Sequence, residues 1–345
     1  MMSARFLTVV LERAFNMRDG FGREIDYMRI SVIDSCNLNC YYCNPCDNNE
    51  HCHALNILSV KEVLCIVRAA TRLGIKHFRL TGGEPLLHPQ LDEMVLQIKK
   101  IPGVSSVSLT TNAVLLAQHA KWLKEAGIDS INVSLDTIDA SEYERITKKP
   151  LLEEVKHGIN AAIECGIRVK INVVLTPQTD VVALTRYVAK KGTDIRFIEM
   201  MPVGEGHTNG VEPYKKVIGT LSKLYGEPCR INTEKTKEIN SGNDKRKIPD
   251  NGPAEYYIFP ELGIRVGLIQ AIHGKFCDTC NRIRVTADGR LMPCLGSSVT
   301  MDLVPDSWDF ADDVEKDFAI VRALRAAIKA KPRCHNFNDN AVTYT

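Results

Sequence analysis

Cys36, Cys40 and Cys43 stand in "CNLNCYYC" with the spacing C-x3-C-x2-C, directly after the short β-branched run "YMRISVI" at 27–33. Three thiolates suit a soft metal. A [4Fe–4S] cluster takes four ligands, so three from the protein leave one iron open to a reactant. Structural zinc is the competing occupant and normally closes its shell with four ligands. Cys46 or Cys52 could supply that fourth ligand, although both read better as bystanders. A second set, Cys277, Cys280 and Cys294 in "FCDTCNRIRVTADGRLMPCL", has the spacing C-x2-C-x13-C. His273 is close enough in sequence to be weighed as its fourth ligand, with an ordinary loop histidine the preferred reading. Cys65, Cys165, Cys229 and Cys334 are solitary and read as small hydrophobes.

The elements that must position these cysteines follow a regular rhythm. Strand candidates at 27–33, 77–82, 106–112, 130–136, 168–175 and 194–201 are separated by amphipathic stretches at 59–74, 91–101, 117–127, 151–166 and 180–192. Several of these stretches end in Gly, the expected residue just past a helix C-terminus. Six βα units predict a parallel sheet with right-handed crossovers, either an open partial (β/α)6 barrel or a flat doubly wound sheet. A barrel would carry its chemistry at the C-terminal strand ends, where the first cysteine loop falls. After about residue 212 the rhythm changes: a helix at 213–226, a charged loop or hairpin tip, shorter strands, a helix at 313–332 and a polar tail. The expected division is an N-terminal helix or extension at 1–20, the barrel at 21–212 and an α+β extension at 213–345.

The 345 residues exceed one minimal domain, and a net charge of +2 argues against a nucleic-acid-binding face. No run approaches the roughly 20 apolar residues of a membrane span. The run "FLTVVL" near the N-terminus is too short for a signal segment, so the expected location is the cytoplasm. Twelve cysteines in a reducing compartment point to metal sites rather than disulfides.

"CNLNCYYC" after the first strand and "TGGEP" after the second resemble the radical S-adenosylmethionine (SAM) superfamily. "FRLTGGEPLLHPQL", "TTNAVLLAQHAKWLKEAGIDSINVSLDT", "RFIEMMPVGEG", "GPAEYYIF" and "KFCDTCNRIRVTADGRLMPCL" narrow the resemblance to the GTP 3′,8-cyclase family of molybdenum cofactor biosynthesis, from about Phe21 to Leu295. The resemblance implies a [4Fe–4S] cluster at each end of a partial barrel. One cluster reduces SAM to a 5′-deoxyadenosyl radical, which takes the 3′ hydrogen of GTP so that this carbon attacks guanine C8. Cys36, Cys40 and Cys43 match the ligands of the SAM cluster, and Cys277, Cys280 and Cys294 those of the second, whose open iron faces guanine. Gly82, Gly83, Glu84 and Pro85 match the turn at the SAM ammonium, which Glu84 could accept from; Thr110, Ser134 and Met201 match further SAM contacts. Arg29, Arg282 and Arg284 match triphosphate-binding arginines, and Lys170 a substrate-site lysine; Lys170, Arg282 and Arg284 are the residues expected at the reacting substrate. Arg282 and Arg284 lie two apart, so on a strand they share one face. Implied partners are GTP, an electron donor such as flavodoxin or ferredoxin, and the next enzyme of the pathway; a homodimer stands as an option.

Two positions depart from the family. His77 stands where the family carries a lysine contacting the triphosphate, with Lys76 adjacent. The chain ends "NDNAVTYT", where the family ends in a Gly-Gly tail that enters the active site. These keep a second reading open, a paralogue acting on another nucleotide, a peptide or a sugar. Outside the enzymes, the alternative is a binding protein stapled by metal.

Overall fold

β1 (Tyr27–Ser31), β2 (His77–Thr81), β3 (Ser106–Thr111), β4 (Ser130–Ser134), β5 (Val169–Leu175) and β6 (Asp194–Glu199) pair in parallel and in chain order. The computed structural model describes residues 17–43, 56–202, 212–231, 252–297, 299–303, 313–335 and 337. Between the strands run α1 (Val60–Arg72), α2 (Leu91–Lys99), α3 (Leu116–Glu125), α4 (Ala140–Thr147), α5 (Leu152–Glu164) and α6 (Val181–Lys190). An order that never reverses has no doubly wound switch point. Every right-handed crossover then lays its helix on the same face of the sheet. The opposite face is left to line a concavity, which decides for the partial barrel over the flat sheet.

The strands show why. In β1 the side chains of Met28 and Ile30 are buried under the helices, while Tyr27, Arg29 and Ser31 alternate with them on the other face. β2 repeats the pattern, with Phe78 and Leu80 buried and His77, Arg79 and Thr81 half-buried. Caps fix where helices start. Ser59 Oγ accepts from Glu62 N at 3.2 Å while Glu62 Oε2 accepts from Ser59 N at 2.6 Å, and Asp180 caps α6 through Ala183 N at 2.9 Å.

α4 is absent from the sequence-based expectation. Asp139 caps it through Glu142 N at 2.8 Å, and only Tyr143, Ile146 and Thr147 are buried. Its stripe is too narrow to stand out in "ASEYERIT". The helix expected at 213–226 is a π-helical turn over Tyr214–Ile218 followed by α7 (Gly219–Tyr225).

The sheet runs across residue 212. β9 (Arg265–Ile269) pairs parallel with β6 and carries the hairpin of β8 (Glu255–Ile258) and β7 (Cys229–Ile231); β10 (Arg282–Val285) pairs parallel with β1, followed by β11 (Arg290–Met292) and β12 (Met301–Asp302). The α+β extension therefore lengthens the barrel wall at both edges, giving twelve strands in all among the described residues. α8 (Asp313–Lys329) returns beside α1, where Arg72 NH2 meets Asp317 Oδ2 at 2.7 Å. Cys46, Cys52, most of the expected N-terminal helix, the charged stretch at 232–251 and the tail from 338 lie outside the described residues.

Candidate active site

The Cys36–Cys43 loop leaves the C-terminal end of β1 and is held by backbone bonds. Asn39 N donates to Thr147 O at 3.0 Å and Tyr41 N to Ile146 O at 3.1 Å, so the end of α4 is the shelf on which the loop rests. Leu38 N at 3.5 Å and Asn112 Nδ2 at 3.8 Å both point at Cys36 Sγ. Beneath the loop Tyr42 donates its hydroxyl to Asp136, which also accepts from Val174 N at 2.7 Å. Burial raises the Asp136 carboxyl to about 6, with those two hydrogen bonds pulling the other way. Cys40, Tyr42, Asn112, Ser134 and Asp136 line one small cleft here.

The glycines after β2 admit the close approach of backbone. A Cβ on Gly82 would lie 2.3 Å from Ile33 O, and one on Gly83 would lie 2.2 Å from Ser35 O. What approaches them is the backbone entering the cysteine loop, fixed by Gly83 N to Ile33 O and Glu84 N to Ser35 O, both at 2.8 Å. Glu84 is 1% exposed. Its carboxylate accepts from Thr111 Oγ1 at 2.7 Å, Asn112 N at 2.7 Å and Leu86 N at 3.0 Å, and burial raises it to about 7 against those bonds. The side chain braces the turn that Pro85 begins, and the turn in turn braces the loop.

On the open face of the sheet lies a cavity of about 550 Å³, within the usual range for a ligand site. It gathers Arg29, Lys170, Arg282 and Arg284 from both ends of the chain; Arg29 and Arg284 are direct neighbours across the β1–β10 pair. Arg79, Arg168 and Arg196 join them. Burial, then Arg284, pushes the Arg29 guanidinium well below its ordinary value, and the buried Nε atoms of Arg29 and Arg282 have no hydrogen-bond partner among the described residues. Lys170 is 7% exposed. A wall of like charges with unspent donors is costly until a polyanion enters. Thr110 and Met201 also line this cavity, Thr110 Oγ1 standing 3.4 Å from Arg79 NH1. His77 lines it too, bonded through Nδ1 to Ser106 Oγ at 2.8 Å; burial lowers its basicity, with Asp26 opposing. Lys76 is turned to Asp26 at 3.7 Å and is not among the lining residues.

The second triad closes the opposite end. Cys277 and Cys280 precede β10, Cys294 follows its antiparallel partner β11, and all three line the cavity. β1 is five residues long, so the two cysteine sets flank a barrel roughly 16 Å deep. His273 is not part of the triad: its Nδ1 is bonded to Glu199, which also accepts from Ile272 N at 2.7 Å.

Among families, the radical SAM superfamily matches residues 30–183 and the Molybdenum Cofactor Synthesis C family matches 193–337. The chain is 35% identical over 324 residues to a GTP 3′,8-cyclase of Clostridium perfringens, covering 93% of this chain and 95% of that one. It is 37% identical over 328 residues to the GTP 3′,8-cyclase of Peptoclostridium acidaminophilum, covering 93% and 94%. The chain belongs to the GTP 3′,8-cyclase family of radical SAM proteins. Among solved structures, Streptococcus suis SuiB bound to precursor peptide SuiA superposes with a TM-score of 0.57 at 15% identity, covering 93% of this chain and 69% of that one. The AdoMet-bound anSMEcpe gives 0.53 at 16% identity, covering 92% of each chain. At such identity these two show the fold alone.

A radical SAM protein carries a [4Fe–4S] cluster and SAM, and the residues present fit them. The donor set at each end is sulfur, with N–H groups aimed at Cys36 from Leu38 and Asn112, and at Cys277 and Cys280 from the backbone of His335 and Arg282. Donors to cysteine sulfur are how a protein steadies cluster thiolates. In this radical SAM frame, sequence reasoning missed Tyr27, Arg79, Arg168, Arg196, Asn132 and Asn172 of the cavity wall. The available signal was polar residues at every second position of otherwise apolar parallel strands, which one buried face does not require.

Proposed function

We infer that this chain converts GTP to (8S)-3′,8-cyclo-7,8-dihydroguanosine 5′-triphosphate, the first step of molybdenum cofactor synthesis. The observation that carries the reading is the cationic cavity ending at the second cysteine triad, in a chain 35% identical over 93% of its length to GTP 3′,8-cyclases. When bound, the first cluster and SAM supply a 5′-deoxyadenosyl radical able to take hydrogen from carbon. Cys36, Cys40 and Cys43 would hold that cluster, and the small cleft with Ser134 and Asn112 lies beside them. Gly82 to Pro85 would present the SAM-facing turn, with Glu84 bracing it through Thr111 and Asn112 and accepting from the SAM ammonium. Cys277, Cys280 and Cys294 would hold a second [4Fe–4S] cluster at the far end, facing the base. Arg29, Arg282 and Arg284, with Arg79, would neutralise the triphosphate, and Lys170 would hold the substrate from β5. His77, hydrogen-bonded to Ser106, is one neutral donor at a rim otherwise rich in arginine, so a missing lysine there removes one charge of many. An electron donor such as flavodoxin or ferredoxin and the enzyme that takes the cyclised nucleotide complete the reading.

The test is anaerobic turnover of reconstituted, reduced protein with SAM and GTP, read by mass spectrometry. 5′-Deoxyadenosine together with a cyclised nucleotide of the mass of GTP, both requiring GTP, is the expected result. 5′-Deoxyadenosine without that nucleotide would replace GTP with another substrate.

A further inference from the structure

α8 ends at the exposed Lys329 and Ala330, but the chain after it does not stay at the surface. After Lys329 the chain runs "AKPRCH" back beneath the barrel, and Lys331 is 2% exposed there. Lys331 Nζ donates to Arg282 O and to Pro293 O, both at 2.8 Å, and its remaining contact is the Cys280 thiol. Pro293 precedes Cys294 and Arg282 lies two residues after Cys280. One ammonium thus ties together the two chain segments that bear Cys280 and Cys294. Its position is fixed from outside. Arg23 donates to Pro332 O at 2.6 Å, Arg333 O at 2.8 Å and Cys277 O at 2.6 Å, while its Nε is anchored to Asp19 at 2.5 Å.

Burying an ammonium is costly unless an anion answers it. Among the described partners of Lys331 none is a carboxylate; they are two carbonyls and a cysteine sulfur. The sulfur is the partner that becomes an anion, because three thiolates leave a [4Fe–4S] cluster with net negative charge. We propose that Lys331 is a positioning residue for the second iron–sulfur cluster: its hydrogen bonds set the spacing of Cys280 and Cys294, and its charge sets that cluster's reduction potential. The proposal rests on the reading of Cys277, Cys280 and Cys294 as cluster ligands. It concerns only that end of the barrel, since Lys331 lines the cavity with those cysteines and not the cleft at Cys40.

The test uses the full chain with Cys36, Cys40 and Cys43 all changed to Ala, so that reconstituted iron reports on the second triad alone. This background should bind about four irons per chain. In it Lys331→Met should lower bound iron at least threefold, and the cluster that does form should titrate at a more negative potential by EPR-monitored reduction. Lys331→Arg keeps the charge but not the compact fit, so it should lose iron while the loaded fraction keeps the background potential. A residue that merely supported the fold would lower iron in both variants and leave both potentials unchanged, which would overturn the electrostatic role. Full loading of both variants would overturn the positioning role. Should Lys331→Met not fold, Lys331→Arg decides the positioning role by its iron content, and Lys331→Gln the electrostatic role by its potential. A background without iron would overturn the second-cluster reading itself, and the proposal with it, before any Lys331 variant is compared.

Discussion

Glu84 joins the entry to the Cys36–Cys43 loop with the close of β3, accepting from Thr111 and Asn112 while its own backbone N–H holds Ser35 O. Its burial raises the folded-state carboxyl from 4.5 to about 7. An acid whose folded value is raised holds more protons folded than unfolded between those limits, so the iron-free protein loses stability as pH rises from about 4.5 to about 7 and levels off above. The size is on the order of 3 kcal/mol. Urea denaturation across pH should show this fall, and Glu84→Gln should flatten it. In the cavity, Arg29 pairs across β1 and β10 with Arg284 and carries an unsatisfied Nε. Arg29→Ala should weaken GTP binding by about 30-fold or more, the loss of roughly 2 kcal/mol of charge-assisted bonding, while SAM binding is unchanged. Calorimetry on the anaerobic protein separates the two.

At the scale of elements, α4 has eight residues and a narrow apolar stripe, yet it carries the backbone acceptors for Asn39 and Tyr41. Its stability should therefore be felt at the first cluster. Asp139→Ala removes the N-cap, worth about 1 kcal/mol, and should speed chelator-driven iron loss from the first cluster about fivefold. Loss from the second cluster proposed at Cys277, Cys280 and Cys294 should keep its rate, because Cys277 and Cys280 are fixed instead by β10, Arg23 and the segment after α8. EPR signals of the first and the proposed second cluster, followed during chelation, distinguish these outcomes. The six main strands were legible to within one or two residues because each alternates or runs apolar between polar turns, whereas α4 was hidden, its short helix burying only Tyr143, Ile146 and Thr147.

For the whole molecule, the cavity concentrates cationic side chains in a chain whose net charge is only +2. Folding has sorted charge by face, so the cavity wall carries a repulsion that an anionic ligand offsets. GTP at 100 times its dissociation constant should stabilise the reconstituted protein by about 2.7 kcal/mol, and the melting shift should shrink as salt rises. Guanosine, lacking phosphates, should give a much smaller shift with little salt dependence. Differential scanning calorimetry at two ionic strengths reads both.

The sequence by itself determined the two cysteine triads, the βα rhythm and the arginines at 29, 282 and 284, because ligand type, spacing and periodicity are local properties. Local information also placed Gly82 and Gly83 correctly, but not the Ile33 and Ser35 carbonyls that require them. Only the tertiary structure decided that Arg29 and Arg284 are neighbours, that Arg79 and Arg196 share their cavity, and that β9 and β10 close onto the barrel's edges. It alone brought Lys331 to Cys280, some fifty positions away in sequence. Pairing between distant strands is chosen by how whole faces bury and how crossovers wind, and no window of a few residues contains that choice.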